Sequence, residues 1–428
     1  MPIERMPAIK KTIKMLGFLK FLMSSINLIR SFQILDSRGN PTIMTLVRTD
    51  NNVGVASVPS GASTGSHEAF ELRDKGRNFH GLGVNKAVKN VNTVINNKLK
   101  GMNVFEQEKI DYAMKELDGT KNKKRLGANA ILSVSMACAR CAANEKGVQL
   151  FEYLGGFHGF PTPLLNVING GKHAGNSIAI QECMIIPDAK SFNDEIRIAS
   201  EVYHELKGVI LKKYGKTAVN VGDEGGFAPP VNDVEEAFRL VLKAVDNLGY
   251  GKKVSLGIDA ASTEFYKKGK YDINGKKLGK AELLDYYKSL VKKYPLISIE
   301  DPFYEDDFKT TALLNKELRG KVQVVGDDLL VTSAERLHKS IGLKACSALL
   351  LKINQAGTIT EANKACRTAQ KAGMNVVVSH RSGETCDDFI SDLCLGWHCN
   401  QIKAGAPCRG ERVSKYNRLL ILEQMMKK

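Results

Sequence analysis

From about residue 254 onward the chain repeats one pattern. A short run, apolar at nearly every position, ends in a polar or charged residue; a loop follows, then a stretch with helical periodicity. The runs are VSLGIDA (254–260), LISIEDP (296–302), VQVVGDD (322–328), ALLLKIN (348–354), VVVSHRS (376–382) and NQIKAGA (400–406). Runs apolar on both faces predict parallel strands covered by helices. The polar residues that close them are Asp259, Glu300, Asp327, Lys352, His380 and Lys403, at intervals of 41, 27, 25, 28 and 23 residues. Each interval is the length of one strand–loop–helix–loop unit. Six units in series predict a β/α barrel, where chemistry gathers at the carboxyl ends of the strands. An open doubly wound sheet is the alternative, but it would want a glycine-rich phosphate turn after its first strand, and none is visible.

The first third reads differently. INLIRSFQIL (26–35), PTIMTLVRT (41–49) and VGVASVPS (53–60) predict strands broken by DSRGNP (36–41) and by Asn51-Asn52. Helical patterns follow at about 83–99, 105–117 and 129–145. The Gly- and Pro-rich YLGGFHGFPTP (153–163) is the best candidate boundary. The expected division is a basic and apolar extension (1–25), an α+β domain (26–157) and a barrel (158–428).

Charge changes this picture little. Lys+Arg exceed Asp+Glu by 62 to 46, a net charge of +16. That invites a nucleic-acid reading, but the lysines are spread over helices, and no zinc-finger, RNA-binding or basic-zipper pattern occurs. No specific nucleic-acid partner is expected. Nine cysteines without framework spacing point to a reducing compartment. Cys138-Ala-Arg-Cys141 is formally C-x-x-C, yet it sits in an Ala-rich run that reads as a buried helix, where small core residues are the commoner outcome. MLGFLKFLM (15–23) is apolar but too short to span a bilayer. It reads as a targeting segment or as residues ahead of a start at Met23.

Convergence of the strand ends carries the chemistry. Asp259, Glu300 and Asp327 in one mouth would repel one another or take up protons unless a cation sat among them. Oxygen ligands without thiolate or imidazole favour a hard ion, Mg²⁺ before Zn²⁺. Lys352 closes a buried run, and neighbouring positive charge is expected to lower its pKa toward that of a base. His380, Arg381 and Ser382 suit an anion, phosphate or carboxylate. SGASTGSHE (60–68), NGGKHAGNS (169–177) with His173, and GDEGGFAPP (222–230) with Asp223 and Glu224 are loops that reach into such a mouth. These parts fit abstraction of a proton beside a carboxylate, giving an enediolate that cations stabilise, then acid-assisted loss of a hydroxyl.

LDSRGNPT (35–42), PSGASTGSHEA (59–69), NVGDEGGFAP (220–229), SIEDP (298–302), GDDLLVT (326–332), LLLKINQAGT (349–358), SHRSGET (379–385) and IKAGAPCRGER (402–412) resemble the enolase family from about residue 26 to the C-terminus. The resemblance implies an α/β fold with an irregular barrel, ββαα(βα)6, after a smaller α+β domain. LLNVING (164–170) and ECMIIPD (182–188) would be its first strands, the second antiparallel. It implies reversible, Mg²⁺-dependent dehydration of 2-phosphoglycerate to phosphoenolpyruvate in the cytoplasm. Asp259, Glu300 and Asp327 would hold one Mg²⁺, and Ser63 a second that arrives with substrate. Lys352 would be the base, and Glu224 the acid with Glu182 beside it. His173 and His380 would contact substrate, Arg381 and Ser382 its phosphate, and Lys403 its carboxylate. Gln181 would support the metal cluster.

The departures lie at the dimer contacts that the resemblance implies. Met44 and Ile421 stand where enolases carry one charged intersubunit pair, and Phe32 and Gln424 where they carry another. Replacing a buried ion pair by apolar groups can be neutral or stabilising, so a homodimer with altered contacts is expected. Two other readings stay open: another acid dehydratase of the same superfamily, and a non-catalytic basic binding protein.

Overall fold

The chain, in a computed structural model, is described for residues 24–61, 65–171 and 174–427. Residues 1–23 of the N-terminal extension, Ser63 and His173 fall outside the described residues. An antiparallel sheet opens the fold: β1 (Leu28–Leu35), β2 (Pro41–Arg48) and β3 (Val53–Ser57). Its inner face lies on the helix Ala128–Lys146, which is buried along most of its length. Small residues let that helix approach closely. At Gly54 a Cβ would stand 2.2 Å from the Ala137 carbonyl, so no larger residue fits. Cys141 sits in this contact and Cys138 elsewhere on the helix, both as small core residues; burial pushes both thiols above their ordinary pKa. The pattern expected at 83–99 is one helical run that widens to a π turn at Val91–Ile95.

Eight strands close the barrel. They are β4 (Thr162–Asn169), β5 (Glu182–Pro187), β6 (Val254–Asp259), β10 (Leu296–Glu300), β11 (Gln323–Gly326), β12 (Ala348–Leu351), β13 (Asn375–Ser379) and β14 (Gln401–Lys403). β5 runs antiparallel to both neighbours; the other pairings are parallel. The helices Phe192–Tyr214 and Val234–Asn247 follow β5, and each later strand is followed by a helix. That is the ββαα(βα)6 order. Strand alternation sorts the side chains. Leu164, Met184, Ile186, Val325, Ala348, Leu350 and Val377 fill the interior, while Leu349, Leu351, Val376 and Val378 join the layer under the helices. One element was not expected: a small sheet of β7 (Tyr266–Lys267), β8 (Lys270–Ile273) and β9 (Lys276–Leu278) after β6.

Caps from distant segments fix the outer helices. The N-terminus of Phe192–Tyr214 receives Glu423 from the C-terminal helix Gly410–Met426, whose Oε1 and Oε2 accept from Phe192 N and Asn193 N at 3.1 and 3.0 Å. A carboxylate there meets both orphan amides and the positive end of the helix dipole.

Candidate active site

Strand register brings the acids together. Asp259, the last residue of β6, is in register with Glu182 on β5 and Glu300 on β10. All three are buried. Lys403, the last residue of β14, reaches into this row: its Nζ lies 3.0 Å from Asp259 Oδ2, 2.9 Å from Glu300 Oε2 and 3.3 Å from Glu182 Oε1. Burial alone would pull this ammonium down, but the surrounding carboxylates drive it well above its ordinary value. Burial and mutual repulsion conversely raise Glu182 and Glu300. Gln181 Nε2 donates to Asp259 Oδ2 at 3.3 Å.

Asp327 lies one residue beyond β11 and pairs with Lys352, one residue beyond β12. Burial pushes the Asp327 carboxyl up, yet the adjacent ammonium wins and holds it below the usual range. The expected depression of Lys352 is not found. Burial pulls it down, but Asp327 in direct contact, helped by Glu300, carries it above an ordinary lysine. Thr332 keeps a left-handed backbone (φ 50°) beside it; its Oγ1 accepts from Lys352 N at 3.0 Å and donates to Gln355 Oε1 at 2.9 Å.

Asp259, Glu300 and Asp327 share this mouth, but their oxygens do not gather into one tight set. Among the described residues the three carboxylates with oxygens within 4.8 Å of one another are Asp301, Asp327 and Asp328. Asp259 and Glu300 contact Lys403, whereas Asp327 contacts Lys352. Asp301 is a loop clamp: it accepts from Asp327 N and Asp328 N at 2.9 and 2.6 Å. Burial and the Asp327 charge push Asp328 up to about 8.

The opposite wall is anion-binding in character. Arg381 is buried and held bidentate by Glu68, Nη1 to Oε2 at 2.9 Å and Nη2 to Oε1 at 3.2 Å. Gln355 Nε2 links Glu68 Oε1 (3.3 Å) to Asp327 Oδ1 (3.0 Å). His380 Nε2 faces Glu224 Oε1 at 3.7 Å, and Asn166 Nδ2 donates to Glu224 Oε2 at 3.0 Å. Burial, with Arg412, Lys403 and Lys352 nearby, outweighs the pull of Glu224 and holds His380 well below an ordinary histidine. One cleft is lined by Gln181, Glu182, Glu224, Asp259, Lys352, His380, Arg381, Ser382 and Lys403, with Ser379. Glu300 and Asp327 join it through the lysines. Asp223 offers its carbonyl to Arg412 at 3.0 Å and does not line the cleft among the described residues. Glu68, Gln355 and Arg412 were not singled out in the sequence. Glu68 and Gln355 are polar residues inside the motifs SGASTGSHE and LLLKINQAGT, and no periodicity marks them as buried.

The model of the enolase C-terminal TIM barrel domain matches residues 158–428, and that of the enolase N-terminal domain matches residues 26–154. The chain belongs to the enolase family. The enolase of Methanocaldococcus jannaschii is 55% identical over 92% of this chain and 93% of its own length. Those of Thermococcus gammatolerans and Pyrococcus furiosus are 54% and 53% identical, again over 92% of this chain and 93% of theirs. Enolase function follows: the chain is a glycolytic lyase, a phosphopyruvate hydratase. No helix among the described residues is long and apolar enough to cross a membrane.

Proposed function

We propose that the cleft dehydrates 2-phospho-D-glycerate reversibly to phosphoenolpyruvate, with Lys352 and Glu224 as base and acid on opposite walls. The observation that supports this is the meeting of Lys352, Glu182, Glu224, His380, Arg381, Ser382 and Lys403 around one space. Mg²⁺ suits the donors. Asp259, Glu300 and Asp327 offer only oxygen, and the buried oxygens Gln181 Oε1 and Glu182 Oε2 have no hydrogen-bond partner among the described residues. Such a set fits a hard cation. When bound, Mg²⁺ supplies positive charge that offsets the charge growing on the substrate carboxylate. We assign one ion to the three acids and a second to a site shared by Ser63 and substrate.

Lys352 takes the C2 proton. It must first shed its own, and separation from Asp327 favours that, because burial is then opposed less. Glu224, with Glu182 beside it, gives a proton to the departing C3 hydroxyl. Arg381 and Ser382 hold the phosphate, Lys403 the carboxylate end, and Gln181 keeps Asp259 oriented. His380 and His173 contact substrate. Turnover of 2-phosphoglycerate followed at 240 nm, beside a sugar acid lacking phosphate, tests the reading. Activity on the phosphorylated acid alone is expected; activity on the sugar acid alone would assign the cleft to another dehydratase of the superfamily. Binding of random duplex DNA at physiological salt without turnover would favour the basic binding protein.

We place the enzyme in the cytoplasm, with its domain boundary near residue 157. We also infer a homodimer. Phe32 pairs across the sheet with Met44 and is 42% exposed, and Ile421 is 52% exposed. Apolar contact between Met44 and the partner's Ile421 would cover this surface. Light scattering at micromolar concentration should give a dimer, and a monomer would rule it out.

A further inference from the structure

Arg412, on the C-terminal helix, is fully buried. Its guanidinium is ringed by acceptors. Nη1 donates to the Arg381 carbonyl at 2.6 Å, and Nη2 to the Ser382 and Asp223 carbonyls at 2.6 and 3.0 Å. Nη1 also lies 2.7 Å from His380 Nδ1. A guanidinium has no acceptor and keeps its protons in proteins. The last contact therefore runs one way: His380 Nδ1 accepts. An imidazole that accepts at Nδ1 carries its hydrogen on Nε2, and that nitrogen faces Glu224.

We propose that Arg412 is a positioning residue that fixes His380 as the neutral Nε2–H tautomer, making it a hydrogen-bond donor on the Glu224 side of the cleft rather than a base. Glu224, from the loop after the helix Phe192–Tyr214, and Arg412, from the C-terminal helix, contact the imidazole, and the charges of Lys403 from β14 and Lys352 from beyond β12 also act on it. Three are cations and oppose an imidazolium, as burial does. Arg412 also ties the backbone carbonyls of Arg381 and Ser382 to that of Asp223, so one side chain sets both tautomer and spacing. Its functional part rests on the reading of Glu224 as the acid. Once Glu224 has given its proton to the leaving hydroxyl, a carboxylate remains, and an Nε2–H donor stabilises it.

The test reads the tautomer directly and needs no substrate, so it stands apart from whether the cleft turns over 2-phosphoglycerate. The full chain is labelled with ¹⁵N-histidine, and long-range ¹H–¹⁵N correlations are recorded from pH 5.5 to 8.5, with His380→Gln identifying the signal among eight histidines. The expected result is an Nε2–H pattern that does not titrate. An Nδ1–H pattern, or an imidazolium in this range, overturns the proposal. Arg412→Met is expected to give mixed tautomers, with Nδ1–H and Nε2–H signals both present, whereas Arg412→Lys, which retains a donor, restores the wild-type pattern. A pure Nε2–H signal in a folded Arg412→Met would show that Arg412 does not set the tautomer. Should Arg412→Met fail to fold, the wild-type and Arg412→Lys spectra decide.

Discussion

Lys403→Met isolates the electrostatic core of the site. Methionine keeps most of the volume and removes the charge. Lys403 and its three acidic partners are all at most 5% exposed at the side chain. Removing one partner of a buried pair costs about 3–5 kcal/mol, because the other charge is left uncompensated. With an unfolding entropy of about 2.1 cal/mol/K per residue over roughly 270 barrel residues, that loss lowers Tm by about 5–9 °C. The sign with pH follows from the acids. Burial already raises Glu182 and Glu300, and losing Lys403, which lowers both, raises them further. A carboxyl raised above its unfolded pKa stabilises the fold below about pH 4.5, and that contribution is lost as pH climbs through the folded value. The deficit of Lys403→Met against wild type should therefore be full at pH 8 and narrow toward pH 5. Thermal melts by circular dichroism at both pH values give the answer. A deficit under about 1 °C at pH 8, or one equal at both pH values, would refute the reasoning.

Three further outcomes follow from the geometry. Glu68→Gln takes the carboxylate from the buried Arg381 fork; KM for 2-phosphoglycerate should rise about tenfold or more, at roughly 1.4 kcal/mol per decade, with kcat changed less, read by steady-state kinetics. Glu423→Ala takes two acceptors from the N-terminus of the helix Phe192–Tyr214, which keeps its Ser191 cap, and should cost about 1–2 kcal/mol in urea denaturation, with turnover unchanged. Burial pushes Glu195 up to about 8, so its stabilising contribution is full below about pH 4.5 and lost as pH rises through 8; Glu195→Gln should flatten the pH dependence of Tm between about 5 and 8.

Strand ends were legible because barrel physics makes them so. A run buried on both faces must be apolar, so a polar or charged residue that closes it marks a strand end, and Asp259, Glu300, Asp327, Lys352, His380 and Lys403 all stand at or one residue beyond one. The irregular β4–β5 start came from the family motifs alone, since an antiparallel strand leaves no separate mark on a run such as ECMIIPD. What stayed hidden was how charge is shared. Nothing in the spacing of Lys403 says that it lies among Glu182, Asp259 and Glu300, or that Asp327 would raise Lys352 rather than neighbouring cations lower it. Both depend on direct contacts between side chains 25–221 positions apart. Arg412 and Glu68 were missed for a related reason. Charged residues normally sit outside, and only tertiary packing reveals one that is buried because acceptors or a counter-ion surround it.

Turnover of 2-phosphoglycerate at 240 nm, with and without Mg²⁺ and beside Lys352→Ala, probes the central claim most directly. The account predicts phosphoenolpyruvate only when Mg²⁺ is present, and a loss of several orders of magnitude in kcat for Lys352→Ala in a protein that still folds. Undiminished turnover by Lys352→Ala, or by wild type after the metal has been stripped, would contradict it.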